Sequence, residues 1–387
     1  MQPKLFKKTP LAWRQLMKEK VRLAIAIGGI AFADVLMFFQ LGMLDALYDS
    51  ATNPHQKLQG DLVLVNPHVE TLIDMKSFPR TRIQQTRAYD GVASADPVYV
   101  DFANWRNPDT HFKKSILVFG FDPQVSAFDM SDAEGNIEQL QMLNRVLFDR
   151  ASRPEYGAIT QLWKTQGTLE AQVSDRVVET VGLFKMGASF GADGNLLASD
   201  STFFNLVRDR NPTQVDIGLI QLTADADLAK VQAKLREELP NDVKVLTVPE
   251  FVQLEVDYWA NQGTGFIFNL GVFVGFLVGI IIVYQILYSN VSEHLPEYAT
   301  LKAMGYSDRY LLMMLMQEAL ILAALGFIPG FLISIGLYQV SYAATLLEIA
   351  MKSGRAVMVL FLTILMCGTS GAIAMRKLQS ADPADIF

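Results

Sequence analysis

Two carboxylates stand inside long apolar segments of this chain, where ionisable side chains are rare and costly. Asp34 interrupts the apolar segment 21–43, and Glu318 is the one charged residue of segment 311–337. Such a group serves either a proton or substrate pathway or a structural pairing, and for Asp34 both interpretations stay open. Glu318 lies within about two turns of one end of its segment, so we expect it to reach water or to pair with a basic residue.

Two residue patterns of common enzymes are missing. The sequence has no Gly-x-x-x-x-Gly-Lys-Ser/Thr loop for nucleotide phosphates and no His-Glu-x-x-His. Cys367, the single cysteine, is predicted to be an inert packing residue. We therefore predict no catalytic residue, no metal site and no cofactor in this chain. The four histidines are too scattered to indicate a metal site: His55, His68, His111 and His294.

Four segments are long and apolar enough to cross a membrane. Segment 266–287 has 22 residues without a charge, and segment 356–374 has 19. A helix needs about 20 apolar residues to cross a hydrocarbon core of roughly 30 Å. The sequence therefore predicts an α-helical membrane protein with transmembrane helices at 21–45, 263–288, 311–337 and 356–375.

A large mixed α/β domain is predicted between the first two spans, at 46–262. Segments rich in β-branched or alternating apolar residues predict its strands, and segment 225–239 is an amphipathic helix stopped by Pro240. A further helix, 249–262, leads into the second span. Segment 103–165 has no clear assignment and is interpreted as a second lobe. The predicted strands are 61–65, 98–102, 116–121, a pair within 168–184, 216–222 and 243–248.

Charge predicts the orientation. Segment 1–22 has seven basic residues against Glu19, a net charge of +6, whereas segment 46–262 has 20 basic and 30 acidic residues, a net charge of −10. Positive flanks stay in the cytoplasm, so we expect both termini inside the cell and the α/β domain outside the inner membrane. The acidic domain gives no reason to expect a nucleic-acid partner. The basic segment 1–20 is predicted to be an amphipathic helix on the membrane surface, or else a plain topology-setting flank.

The remaining segments are short. A cytoplasmic loop is predicted at 289–310, a short outer loop at 338–355 and a cytoplasmic tail at 376–387. Pro329, between Gly326 and Gly330, predicts a kink in the third span. Small residues recur every four positions in the second span and predict close helix packing, either at a dimer interface or within one protomer: Gly271, Gly275 and Gly279.

The loop 289–310 and the tail resemble a known family. The tail 376–387 is similar to the terminal lysine-x-x-x-x-aspartate-proline-alanine signature of FtsX-type permeases, and segment 9–16 is most similar to their cyanobacterial DevC branch. Like DevC permeases, this chain lacks the fused nucleotide-binding domain of the MacB branch. The loop resembles the family's coupling segment in the stretch Glu297-Tyr298-Ala299-Thr300-Leu301-Lys302-Ala303-Met304-Gly305-Tyr306.

This resemblance implies a type VII, or mechanotransmission, ABC permease with an outer domain like the MacB periplasmic core. In such permeases a separate ATPase dimer binds ATP and moves the outer domains. DevC-like permeases export an envelope lipid or other cargo through a membrane fusion protein and a TolC-like outer-membrane duct, so we expect these partners, membrane lipids and a homodimer. The resemblance assigns ATPase coupling to Glu297, Tyr298, Thr300, Leu301, Lys302, Met304 and Gly305.

Two other functions remain open. An FtsX-like signalling permease would activate a periplasmic partner and move no cargo. A lipoprotein-releasing permease would share this topology but act as two different chains. The domain at 46–262 is larger than expected for the signalling branch, which favours an export pump.

Overall fold

The computed structural model describes the backbone of residues 20–380 and their side chains, except those of residues 299, 301–303, 308 and 376–380. The predicted surface helix at 1–20, apart from its last residue, lies outside this range. The tail signature at 376–387 also lies outside the described side chains.

The described chain divides into two units. The bundle unit comprises residues 20–45, 264–344 and 349–380, and the α/β unit comprises residues 46–263 and 345–348. The helices are α1 (Lys20–Gln56), α2 (Thr81–Arg87), α3 (Ile159–Gln166), α4 (Asp200–Leu206), α5 (Leu228–Glu238), α6 (Val248–Asn261), α7 (Gly263–Glu293), α8 (Leu295–Ala303), α9 (Asp308–Thr345) and α10 (Ser353–Ser380). The strands are β1 (Leu62–Val65), β2 (Phe78–Pro79), β3 (Val92–Arg106), β4 (Lys113–Phe121), β5 (Glu134–Gly135), β6 (Arg145–Asp149), β7 (Leu169–Val173), β8 (Arg176–Phe184), β9 (Asn195–Ser199), β10 (Gln214–Val215), β11 (Ile217–Leu222) and β12 (Lys244–Thr247).

Four helices in the described part of the chain are long and apolar enough to span a membrane: α1, α7, α9 and α10. Together with the α/β unit they confirm the predicted fold class. The helix α1 continues 11 residues beyond the predicted end of the first span, because buried Ala46, Leu47 and Ala51 keep an apolar face at helical spacing. The helix α9 likewise runs past residue 337 to Thr345. Pro329 lies inside this one helix, and the kink stays a prediction.

The main sheet of the α/β unit is partly closed on itself. Its order is β12-β1-β11-β3-β4-β9-β6-β8-β5, and β7 pairs with both β3 and β8. The strands β3, β4, β9, β6, β8 and β7 therefore form a ring of six. Segment 103–165, interpreted above as a second lobe, supplies β4 and β6 to this ring and β5 to the end of the sheet beside β8. Because β7 joins strands that are remote in sequence, no local pattern predicts the closure.

Both faces of this sheet are covered. In β1, Leu62 and Leu64 belong to one apolar cluster, and Val63 and Val65 belong to another on the opposite face. Side chains alternate between the faces of a strand, so a strand buried on both sides is apolar at every position. This explains the continuous apolar run at 62–65.

The helix α6 has a strongly defined start. The Thr247 hydroxyl accepts a hydrogen bond from the Glu250 N–H at 3.2 Å, and the Glu250 carboxylate accepts one from the Thr247 N–H at 2.7 Å. Burial opposes ionisation of Glu250, but the bonds from Thr247, Gln232 and Arg236 outweigh it and lower the pKa of Glu250 from 4.5 to about 2.

The substitution Glu250→Gln is expected to lower the thermal unfolding temperature by a few degrees at pH 7, because it removes the charge that faces Arg236. A carboxyl with a lowered pKa stabilises the fold above pH 4.5, and this contribution is lost as the pH falls towards 2. The difference between wild type and variant should therefore shrink over that range, as followed by circular dichroism. Glu237→Gln, at an exposed site of α5, is the control. A difference that does not change with pH would contradict this role of the charge.

Candidate functional site

The loop between α7 and α9 folds into a short helix, α8, which includes most of the predicted coupling segment. Glu297 has a side chain that is 66% exposed, and Thr300 and Met304 are also exposed. Gly305 ends the segment with φ +94°, a left-handed conformation that favours glycine. The backbone of Leu301 and Lys302 lies in α8, but their side chains lie outside the described set.

Tyr298 is the buried residue of α8. It is 3% exposed and packs in the bundle core with Val291 of α7 and with Leu311 and Leu315 of α9. Burial raises the pKa of the Tyr298 hydroxyl, and the nearby Glu318 carboxylate raises it further. The helix α8 therefore rests on the spans through Tyr298 while Glu297 faces outward.

Glu318 is buried, which corrects the expectation that it could reach water near the end of the span. Its side chain is 2% exposed, and its carboxylate accepts a hydrogen bond from the Asn290 amide of α7. Pairing with a basic residue stays a prediction. The contact ties α7 to α9 close to Tyr298.

A second contact joins α1 to α7 at the same end of the bundle. The Arg22 guanidinium donates to both carboxylate oxygens of Glu293 at 2.7 and 2.6 Å. Paired, parallel hydrogen bonds of this type are the strongest geometry for an arginine and a carboxylate. Sequence reasoning assigned Arg22 only to the positive flank.

Asp34 lies in the middle of the bundle and is fully buried. The Thr363 hydroxyl of α10 lies 2.6 Å from Asp34 Oδ1. The α9 backbone comes close to α1 here, because a side chain at Gly330 would meet Asp34. Asp34 was interpreted either as part of a proton or substrate pathway or as a structural pairing. The contact with Thr363 is such a structural pairing.

A cluster of three side chains closes the opposite end of the bundle. Arg355 of α10 donates to Asp45 of α1, with Nε at 3.0 Å, and its guanidinium lies over the ring of Tyr338, 5.2 Å from the centroid. The Tyr338 hydroxyl in turn donates to the Phe38 carbonyl. Sequence reasoning missed this cluster, since Arg355 and Asp45 are 310 positions apart.

The three glycines of the second span face α1 within one protomer. Side chains at Gly271, Gly275 and Gly279 would meet Gln40, Met37 and Met366 respectively. Their absence lets α7 approach α1 and α10 closely. The structure thus gives these glycines a packing role inside the bundle unit, and a dimer interface stays a prediction.

The α/β unit contains a buried acidic residue, Glu255, that no sequence pattern indicated. Glu255 of α6 is 2% exposed and accepts hydrogen bonds from Thr71 Oγ1, the Leu72 N–H and Trp259 Nε1 at 2.9, 2.8 and 2.8 Å. The His55 Nε2 atom lies 3.5 Å from it. Burial raises the pKa of Glu255 even though these donors oppose it. The cluster joins the end of α1 to α6.

Among the described residues, no group of three or more His, Cys, Asp or Glu side chains is placed to hold a metal ion. His294 lies beside Glu297 in the loop, 3.3 Å from its carboxylate, and His55 lies in the α/β unit. The polar contacts described above therefore point to a structural or mechanical site.

The described part of the chain combines four helices long enough to span a membrane, an α/β unit and a short helix between the second and third spans. Residues 269–383 match the family model of the FtsX-like permease C-terminal domain. This part of the chain is accordingly an FtsX-like permease domain. The match confirms the resemblance drawn from the loop, and the family implies an ABC ATPase as the partner. The DevC branch stays a prediction.

Solved structures similar to this chain match about half of it. The periplasmic region of MacB from Actinobacillus actinomycetemcomitans is 13% identical, covers 51% of this chain and 92% of its own, and has a TM-score of 0.38. The extracellular domain of the noncanonic ABC-type transporter YknZ from Gram-positive bacteria is 13% identical, covers 49% and 99%, and has a TM-score of 0.34. No curated protein sequence matches the chain significantly.

The substitution Arg355→Met is expected to lower the stability of the bundle by about 1–3 kcal/mol, because it leaves Asp45 without its charge partner in a partly solvated position. Thermal unfolding in detergent micelles measures the change. Val357→Ala, at a 66% exposed position of the same helix, is the matched control. Equal unfolding temperatures for the two variants would rule out the cluster as a stabilising contact.

Proposed function

We propose that this chain is the permease subunit of an ABC exporter and transmits the motion of a separate ATPase through its spans to the α/β unit. The observation that carries the proposal is the FtsX-like domain at 269–383, with α8 placed between two of its spans. Glu297 and Thr300 of α8 are exposed for a partner, and Tyr298 is anchored in the bundle core. A helix with these two faces transfers force from an ATPase to the spans.

The polar side chains of the bundle favour a lever over a pore. Asp34, Glu318 and Arg355 each bond to another helix of the bundle and are at most 5% exposed. A hydrophilic channel would instead turn such groups towards water. These three residues are therefore better suited to hold the spans together as a unit that moves.

Two helices connect the spans to the α/β unit along the chain, α1 and α6. The helix α1 runs without interruption from Lys20 to Gln56, and α6 ends at Asn261, two residues before α7 begins at Gly263. A long helix transmits displacement along its axis because its backbone hydrogen bonds are all internal. Movement of α1 and α7 would thus reach the α/β unit through α1 and α6.

The same proposal gives the partners of this permease and its location in the cell. ATP is bound by the separate ATPase subunit, and two copies of this chain form a homodimer in the cell inner membrane with both termini in the cytoplasm. The α/β unit lies in the periplasm and meets a membrane fusion protein, which leads to a TolC-like outer-membrane protein. The cargo is an envelope lipid or another molecule taken from the membrane or periplasm.

The substitution Glu297→Arg is expected to weaken assembly with the ATPase roughly tenfold, about 1.4 kcal/mol, because it reverses the exposed charge of α8. Affinity for the ABC ATPase that co-purifies with the full chain, and ATP hydrolysis in reconstituted bilayers, measure the effect. Glu237→Arg makes the same charge reversal on α5 of the α/β unit and is the control. Wild-type assembly and hydrolysis with Glu297→Arg would refute the coupling role of α8.

The substitution Tyr298→Ala separates anchoring from binding. It leaves Glu297 in place but removes the ring that packs between α7 and α9, so we expect ATPase binding to persist while the permease no longer changes the rate of ATP hydrolysis. The same two assays distinguish this variant from Glu297→Arg. If Tyr298→Ala lost binding and Glu297→Arg did not, the assignment of the two faces would be wrong.

Purification of the native complex tests the export function against the signalling function. Recovery of a periplasmic fusion protein with this chain and its ATPase supports an exporter. Recovery of a wall hydrolase without a fusion protein supports a signalling permease. A second, different permease chain in the complex supports lipoprotein release.

A further inference from the structure

The carboxyl group of Asp34 is enclosed by three helices of the bundle. It is fully buried, Thr363 and Cys367 of α10 lie beside it, and α9 contacts it with the glycine backbone at Gly330. Among the described residues, its Oδ2 atom has no hydrogen-bond partner. The site is distinct from α8 and from the ion pairs at the two ends of the bundle.

The hydrogen atoms at this site can be counted. The Thr363 hydroxyl oxygen lies 2.6 Å from Asp34 Oδ1 and 2.8 Å from the carbonyl oxygen of Val359. Both are hydrogen-bond distances, and two full-strength bonds need two hydrogens, since one hydrogen shared between two acceptors gives two weaker bonds. A threonine hydroxyl has one hydrogen, and a carbonyl oxygen has none. If Thr363 donates to Val359, the second hydrogen must come from Asp34.

An ionised Asp34 fits this environment poorly. Its charge would face one hydroxyl group that is already bonded to a carbonyl, and one of its oxygens would have no donor at all. An unpaired charge inside hydrocarbon costs several kcal/mol, whereas a neutral carboxyl can donate and needs no counter-ion. No basic side chain is among the contacts of Asp34 in the described part of the chain.

We propose that Asp34 is a proton-binding site: its carboxyl group binds a proton and donates it in a hydrogen bond to Thr363, which ties α1 to α10. The titratable side chain on the same face of α10 is Cys367, one turn after Thr363, while α9 presents Gly330 and α7 approaches Ala33, the residue before Asp34, through Gly279. Without the proton, the Asp34 carboxylate would face the Thr363 oxygen with no hydrogen between them, because the Thr363 hydroxyl donates its hydrogen to Val359. Loss of the proton would therefore loosen the α1–α10 contact.

Infrared difference spectroscopy on the full chain in lipid vesicles tests this proposal directly. The spectrum of wild type minus Asp34→Asn is expected to show the carbonyl stretch of a protonated carboxylic acid at pH 7, shifted in heavy water. Glu318 is present in both proteins, so its contribution cancels. Carboxylate bands alone in the difference spectrum would overturn the proposal.

Two further variants test the donor and the tie between helices. Thr363→Val removes the acceptor, so the acid band should move to the higher frequency of a free carboxyl group; an unmoved band would contradict donation to Thr363.

Asp34→Asn preserves a donor of similar shape and should unfold within a few degrees of wild type, whereas Asp34→Ala should unfold at a clearly lower temperature. Equal unfolding temperatures for the two variants would show that the contact does not hold the helices.

Discussion

The constraint on which the bundle depends is that a polar side chain surrounded by hydrocarbon has to find its partner inside the protein. The polar side chains described here make contacts between helices at both ends of the bundle and in its middle, and of these contacts the one between Arg22 and Glu293 is exposed to solvent. They join α1 to α7 and α10, and α7 to α9. The contacts are Arg22 with Glu293, Asn290 with Glu318, Asp34 with Thr363, and Asp45 with Arg355 and Tyr338.

Small residues make these contacts possible. The glycines of α7 let it approach α1, and Gly330 lets α9 approach α1 beside Asp34. Close backbone approach and polar contacts reinforce each other, because a short polar side chain such as that of Thr363 reaches only a near neighbour. Tyr298 extends the same packing to α8. The proposed coupling helix is thus held by the contacts that hold the spans.

The α/β unit is held together differently. Its sheet is covered on both faces by apolar clusters, and its strands close into a ring through β7. Its buried polar groups bond to neighbouring backbone and side chains, as Glu255 does to Thr71, Leu72 and Trp259. The capping box at Thr247 and Glu250 sets where α6 begins, and that helix leads along the chain to α7.

The sequence by itself determined the features that depend on neighbouring residues. Charge-free runs of about 20 residues specify spanning helices, since length and hydropathy are local properties. Periodicity and caps likewise specified helix 225–239, found at Leu228–Glu238, and helix 249–262, found at Val248–Asn261. The short loop helix α8, Leu295–Ala303, also follows local rules, with Gly305 just after its end. Its anchoring through Tyr298 could not be predicted, because a helix of nine residues does not indicate which face is buried.

Only the tertiary structure decided the partners. Arg355 and Asp45 are 310 residues apart, and Asp34 and Thr363 are 329 apart, so no local pattern indicates that they meet. The burial of Glu318 was not predicted because its access to water was inferred from chain position, whereas its burial depends on the packing of α7 and Asn290 against it. The closure of the sheet by β7 is nonlocal in the same way. Positions along a chain determine which helices form, and the packing of those helices determines which of their polar residues become a site.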